Sequence, residues 1–427
     1  MNELALFGGP RAVDVPLAPY SSIGDEEVAA VTRVARTGKL SCFIGAWCDD
    51  FDGGPEIKAF ERAWAETYRT RHAITVNSNT SGLIAALGAI GLSPGDEVIV
   101  PPMTMSATVV APLFYGGIPV FVDMEPETFC LDPRLVAAAI TPKTRAIMVT
   151  DLFGHPAALH ELRALADRHG IYLIEDAAQA PLASEHGRYA GTIAHIGIFS
   201  LNYHKHIHTG EGGVCVTDDD DLALRLRAIR NHGENVVDPL KIADATNLIG
   251  FNFRLTELGA AIGIEQLKKA DRLVDDRVRI ADALSTATRG LSGLTPPLVR
   301  EGCRHVYYVW AARYDADATG VPRSTIAEAL NAEGVPVWEG YLEPLYMLPA
   351  FQRRIAIGRD GWPFTLTDRS YARGLCPVAE RLYEREILEF AICSHALAAP
   401  DLDRVIAAFH KVFARLDALA AHAAATP

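Results

Sequence analysis

Nowhere in the 427 residues do apolar side chains run for the roughly 20 positions that a membrane-spanning helix needs; Pro, Gly or charge interrupts each stretch first. The seven cysteines, Cys42, Cys48, Cys130, Cys215, Cys303, Cys376 and Cys393, are odd in number and form no C-x-x-C pair. Neither a disulfide framework nor a Cys-rich zinc site is therefore indicated, and a reducing compartment is expected. The opening segment MNELALFGGPRAVDVP lacks a basic stretch followed by a sustained apolar one, so it does not read as a signal peptide and a cytoplasmic protein is expected. Positive charge is in deficit: 40 Lys and Arg face 53 Asp and Glu, for a net charge of −13. Nucleic acids and anionic membranes are held mainly through clustered Lys and Arg, so neither is an expected partner. No G-x-G-x-x-G follows a predicted strand and no H-E-x-x-H occurs, which removes the dinucleotide loop and the zinc-protease helix. No internal repeat or low-complexity tract is found.

What is present is an ordered alternation. With 49% apolar and 22% charged residues, a chain of this length buries a large core in two or three domains. From about residue 71 to 197, short β-branched runs (72–78, 96–102, 118–123, 145–154, 171–179) alternate with segments of helical periodicity. That is the pattern of βαβ units, with a mostly parallel sheet covered by helices on both faces. The run 253–289 predicts one long helix bridging two lobes, closed by GLSGLTPP at 290–297. Beyond it, a strand at 305–314, a helix at 324–334, a short strand at 335–340 and an amphipathic helix at 401–422 predict a smaller α/β lobe. The expected division is an irregular N-terminal segment or lid (1–55), a large domain (56–270) and a small C-terminal domain (271–427). DDDD at 218–221 predicts a turn and an N-cap.

Three segments could carry chemistry. Asp176 follows IYLIE at the carboxyl end of a predicted buried strand, where open α/β sheets present ligand-binding groups; it could equally cap the next helix. Lys205 lies in FSLNYHKHIHTGEGGVCV (199–216), where a Gly turn before a strand lets a long amine project inward. A lone Lys is ordinarily solvated, but this one is flanked by His and aromatic residues. His204, His206 and His208 alternate as metal ligands on one strand face would, although no further zinc motif accompanies them. In NSNTSGLIAAL (77–87) a strand meets an apolar helix whose N–H groups and positive dipole end suit a phosphate, helped by Ser78, Thr80 and Ser81; an ordinary cap at Asn79 or Thr80 explains it equally. Together the three supply what pyridoxal phosphate needs: donors for the phosphate, a carboxylate for the pyridine nitrogen and an amine for a Schiff base with the aldehyde.

At this point the chain resembles the DegT/DnrJ/EryC1/StrS group of sugar aminotransferases, within the fold-type I pyridoxal-phosphate enzymes. The resemblance runs through VNSNTSGL, GDEVIVPPMTMSATVVAPLFYGGIPVFVD, DLFGHPA, IEDAAQA, FSLNYHKHIHTGEGG, RNHGE, IGFNFRLTELGAAIGIEQL, YLEPLY and CPVAERLY. It implies an α/β fold with a three-layer large domain and a smaller α/β C-terminal domain. It also implies that Lys205 carries the cofactor, that Asp176 pairs with the pyridine nitrogen and that Gln179 lies against the ring or near its hydroxyl. Ser200, with the backbone of Asn79 and Thr80, would bind the phosphate, and Asn252 would reach the phosphate in the neighbouring subunit of a homodimer. His155 and His232 match positions near the site without an assigned role.

Two positions depart from the group. Asn79 replaces a common Gly, which Asn's tolerance of left-handed backbone accommodates. Met105 stands where an aromatic ring usually stacks on the pyridine, and its thioether can pack on the ring instead. The implied reaction is transamination from glutamate or glutamine to a keto-sugar or keto-cyclitol, with Lys205 as nucleophile and proton carrier. The alternatives are a sugar dehydratase, which in related enzymes has His at the Lys position, and a non-catalytic sensor on the same fold. Arg230, Lys241 and Arg254 are the cations available for the diphosphate of a nucleotide-sugar acceptor.

Overall fold

The computed structural model describes residues 3–425. Its largest element is a seven-stranded sheet built from β1 (His72–Val76), β2 (Glu97–Val100), β3 (Ile118–Phe121), β4 (Thr144–Thr150), β5 (Tyr172–Asp176), β6 (Ile196–Ser200) and β7 (Gly213–Thr217). The order is β1-β7-β6-β5-β4-β2-β3, and only β7 runs against its neighbours. Every residue of β2, β3 and β7 is buried. This accounts for strands that read as apolar runs and not as an alternation.

Helices cover both faces. On one side α3 (Asn79–Ala89) and α5 (Asp220–Arg230) pack with Ile74, Val98, Met148, Ile174 and Ile198. On the other, α2 (Pro55–Tyr68), α4 (Leu159–His169) and α6 (Glu257–Lys268) pack with Ile99, Ile147, Val149, Leu173 and Val214. The expected three-layer α/β arrangement is therefore present. Asp219 caps α5 by accepting from the N–H groups of Asp221 and Leu222, as the acidic run predicts. The cap of α3 is Ser78, however, not Asn79 or Thr80: its hydroxyl accepts from Ser81 N–H at 3.1 Å.

The second sheet has four strands, β8 (Leu294–Thr295), β9 (Trp310–Tyr314), β10 (Val337–Glu339) and β11 (Ile387–Phe390), in the order β8-β9-β11-β10. One face packs against α7 (Ala270–Thr288), α8 (Arg323–Ala332) and α9 (Ala399–Phe413), and Leu4 and Val13 join this core from the start of the chain. Within residues 1–55, α1 (Asp25–Thr37) lies against α6. The long helix expected over 253–289 is two, α6 and α7. No Gly or Pro marks the break; Lys269 leaves helical geometry (φ −111°, ψ 8°) while its amine pairs at 2.7 Å with the buried Glu27 of α1. The helix expected over 401–422 likewise divides, into α9 and Leu416–Ala425. Between β10 and β11 the chain returns to the large sheet, inserting Tyr346, Phe351, Phe364 and Tyr371 into its core.

Candidate active site

Asp176 ends β5 with its carboxylate on the α3 face, since it shares the parity of Ile174. Three donors fix it: Thr108 Oγ1 to Oδ2 at 2.7 Å, and Asn79 Nδ2 and Ala178 N–H to Oδ1, each at 3.2 Å. Burial raises this carboxyl above its ordinary value, opposed by Thr108, Ala178 N–H, the Lys205 charge and Asn79. No cation is in ion-pair contact with it among the described residues.

Lys205 sits in the loop between β6 and β7, which Leu201 N–H closes on Gly212 O at 2.9 Å and Thr209 N–H on Leu201 O at 3.0 Å. His206 Nε2 lies 2.8 Å from Val306 O, and His208 N–H donates to Gln266 Oε1 at 3.2 Å. The pinned loop places the Lys205 amine 4.2 Å from the centroid of the Tyr308 ring. Burial lowers the amine to about 8, against the opposing charge of Asp176. Among the described residues no acceptor hydrogen-bonds this amine. The half-buried amine is left free of any protein acceptor, and an aldehyde carbon is a partner that fits it.

The phosphate end is also formed by this chain's backbone. With Ser78 as cap, the N–H groups of Asn79 and Thr80 have no partner within α3 and point out of its N-terminus. Beneath them Gly213 is obligatory: a Cβ there would lie 2.8 Å from Asn79 N. Ser200 pairs with Gly213 across β6 and β7, and its hydroxyl accepts from Asn202 N–H at 3.3 Å. Gln179 is buried with both ends engaged, Oε1 by Phe153 N–H at 2.7 Å and Nε2 on Tyr341 Oη at 3.0 Å. Met105 is 60% exposed, so its thioether is accessible to a ring. Asn252 is exposed, bridges to Asn231 and accepts from Arg254 Nε at 2.7 Å. The residues present therefore fit pyridoxal phosphate: an amine, a buried carboxylate and a helix N-terminus.

Several sequence candidates have other roles. Arg230 is fully buried and pairs with Asp52 at 2.9 Å and Glu61 at 2.6 Å, so it offers nothing to a diphosphate. His155 is buried with Nδ1 2.7 Å from Pro156 O and Nε2 accepting from Arg300 N–H, which explains it as a structural residue. His232 has a left-handed backbone and lies 3.5 Å from Glu234. The His204, His206 and His208 metal reading fails: the loop is not a strand, and no metal-binding cluster occurs among the described residues. Thr108, Tyr308, Tyr341 and the Asn79 side chain belong to the site but were not singled out from sequence. Each depends on a neighbour tens to hundreds of positions away.

Behind Asp176, on the opposite sheet face, lies a second carboxyl arrangement. Asp151 accepts from Ala157 N–H at 2.9 Å, and Glu175 accepts from Gly191 N–H. Asp151 Oδ2 and Glu175 Oε2 are both buried without a donor, and each carboxyl lies within the other's electrostatic reach. Two acceptors can be joined only through a proton, and burial raises both groups above the ordinary carboxylate range. The folded chain thus binds a proton that the unfolded chain releases. The pair's contribution is full below the ordinary carboxylate pKa and is lost as pH rises through the raised one. Thermal melts from about pH 5 to pH 9 should show a smaller alkaline decline in Asp151→Asn, whose amide donates without titrating. Equal declines would rule out the shared proton.

Comparison with known proteins agrees with this geometry. The DegT/DnrJ/EryC1/StrS aminotransferase family matches residues 22–410. An L-glutamine:2-deoxy-scyllo-inosose aminotransferase of Streptoalloteichus tenebrarius is 36% identical over 404 residues, covering 90% of this chain and 92% of that protein. The spore coat polysaccharide biosynthesis protein SpsC of Bacillus subtilis is 32% identical over 353 residues, covering 81% and 88%. The crystal structure of an aminotransferase from Psychrobacter cryohalolentis superposes with a TM-score of 0.82 at 29% identity, covering 94% of this chain and all of that one. Among the described residues no helix is long and apolar enough to cross a membrane. The chain belongs to the DegT/DnrJ/EryC1/StrS aminotransferase family and is a pyridoxal-phosphate-dependent transaminase.

Proposed function

We propose that this transaminase carries nitrogen from glutamine, or glutamate in its place, to the keto carbon of a cyclitol, as a cytoplasmic homodimer whose sites are completed by Asn252 of each neighbouring subunit. The observation that carries the reading is the half-buried Lys205 amine, without a hydrogen-bond acceptor among the described residues, over the Tyr308 ring and within range of the Asp176 charge. Of the three cations offered for a diphosphate, Arg230 is consumed in the buried ion network and Arg254 is engaged by Asn252 and Asn231, which favours a cyclitol over a nucleotide sugar, while Lys241 is exposed and in no ion pair among the described residues. The 2-deoxy-scyllo-inosose named for the Streptoalloteichus relative is a neutral ketone of this class.

When bound, pyridoxal phosphate supplies an aldehyde that condenses with amines and a ring that withdraws electrons from the donor Cα. Asn79, Thr80 and Ser200 would hold the phosphate, and Met105 and Gln179 would lie beside the ring. Asp176 holds the proton on the ring nitrogen, and Thr108 and Asn79 hold Asp176. The Lys205 amine, lowered to about 8, is part free base near neutral pH and so can take the donor Cα proton and return one on the opposite half-reaction.

Thr108→Val keeps the shape and removes the 2.7 Å donor to Asp176. A hydrogen bond to a buried charged group is worth roughly 1.5–3 kcal/mol, so cofactor affinity should fall about 10- to 100-fold; an unchanged dissociation constant would sever Thr108 from the site. The function is tested by supplying cofactor, glutamine and either 2-deoxy-scyllo-inosose or a dTDP-linked keto-hexose, with mass spectrometry of the products. Amination of the inosose in preference is expected. Loss of a hydroxyl without gain of nitrogen would establish the dehydratase instead.

A further inference from the structure

Glu389 is a charged residue within the short strand ILEF of β11. Its register partners are Ala311 on β9 and Trp338 on β10. Its neighbours Leu388 and Phe390 point into the core shared with α7, α8 and α9. By alternation Glu389 projects from the other face, together with Ile387 and Ala311, which pack with Val309 toward the large sheet.

That face fronts the Lys205 site. Tyr308, whose ring lies under the Lys205 amine, and Tyr341, whose hydroxyl holds Gln179, pack against the same apolar cluster. Tyr308 precedes Ala311, the register partner of Glu389 on β9, by three positions, and Tyr341 follows Trp338, its partner on β10, by three. Among the described residues no donor or cation compensates this half-buried carboxyl: Oε2 is buried without a donor, and burial raises the group to about 7. An uncompensated buried acceptor in a mid-strand position has no structural benefit.

We infer that Glu389 is a specificity-determining residue that accepts hydrogen bonds from the hydroxyls of a neutral polyhydroxylated ketone and disfavours a diphosphate-bearing acceptor. Raised to about 7, the carboxyl is partly ionised near neutral pH; that form offers only acceptors, so its ligand must bring donors, and adjacent ring hydroxyls do. The same ionised form in a low-dielectric cleft repels an anionic acceptor, so one group supplies both the attraction and the exclusion. The inference rests on the aminotransferase reading above and refines its acceptor class.

Glu389→Gln in the holoenzyme tests it. With 2-deoxy-scyllo-inosose as probe, KM should rise about 10- to 100-fold, the size of a charged hydrogen bond lost. The half-reaction with glutamine, followed by absorbance, should change less than about threefold. The preference for the inosose over a dTDP-linked keto-hexose should narrow by a similar factor, and the melting temperature should hold or rise, because the orphan oxygen served no fold contact. An inosose KM within about twofold of wild type overturns the inference, as does a Glu389→Gln protein that melts lower and loses both half-reactions together. A wild type that runs the glutamine half-reaction but takes up no inosose overturns it as well, leaving the transaminase standing. A wild type without the glutamine half-reaction overturns the function itself.

Discussion

Lys205→Ala should lower turnover by at least about 10⁴-fold, the upper end of what a positioned proton-transfer group contributes, if, as proposed, the same amine both anchors the cofactor and moves the proton. The folded state should not suffer. Among the described residues the amine makes no hydrogen bond or ion pair, only a contact with the Tyr308 ring. Its value of about 8 lies below the ordinary lysine value because burial disfavours the charge, so at neutral pH the charged amine weakens the fold. Wild-type stability should rise as pH climbs from about 8 toward the unfolded lysine value, and the Ala variant should lack that rise. Melting curves with steady-state rates separate the two effects. A variant that loses activity only because it unfolds would contradict the assignment of Lys205 as the catalytic amine.

The second large effect concerns stability. Arg230 ties four parts of the chain together: its own helix α5, Glu61 on α2 at 2.6 Å, Thr75 O on β1 at 3.3 Å and Asp52 of the N-terminal segment at 2.9 Å. Phe43 covers the guanidinium at 4.9 Å. Glu61 in turn accepts from Thr75 N–H and Oγ1 at 2.8 and 2.9 Å. Arg230→Met leaves Glu61 buried and unpaired, which costs about 3–5 kcal/mol. Adding Glu61→Gln removes that orphan charge while its amide oxygen still accepts from Thr75, and should recover part of the loss. Denaturant titration of the three proteins reads this directly. A single variant within about 1 kcal/mol of wild type would show that the network contributes nothing net.

The contrast between Lys205 and Arg230 shows what the sequence discloses. The sheet was legible because strands covered on both faces are written as apolar runs, and the segments 72–78 through 171–179 contain β1 to β5. The places of Asp176 and Lys205 in the fold were legible because each stands beside a local signal, a strand end and a Gly turn. Arg230 was read as an available cation because its partners Asp52 and Glu61 are more than 160 positions away, and a one-dimensional reading gives no sign of them. The same applies to the Asn79 side chain, which appeared as backbone in a phosphate loop but also holds Asp176. The break at Lys269 escaped notice for a related reason: no Gly or Pro marks it, and the partner of Lys269 there, Glu27, lies on another helix. Glu389 is the opposite case, a charge out of keeping with ILEF whose meaning emerges only when strand alternation turns it toward Tyr308 and Tyr341.

The account stands on one amine. Loading the purified protein with pyridoxal phosphate, reducing it with borohydride and sequencing the peptides by mass spectrometry should place a single pyridoxyl adduct on Lys205, in the peptide containing NYHKHIH. An adduct on another lysine, or none on a protein that still aminates its acceptor, would contradict it.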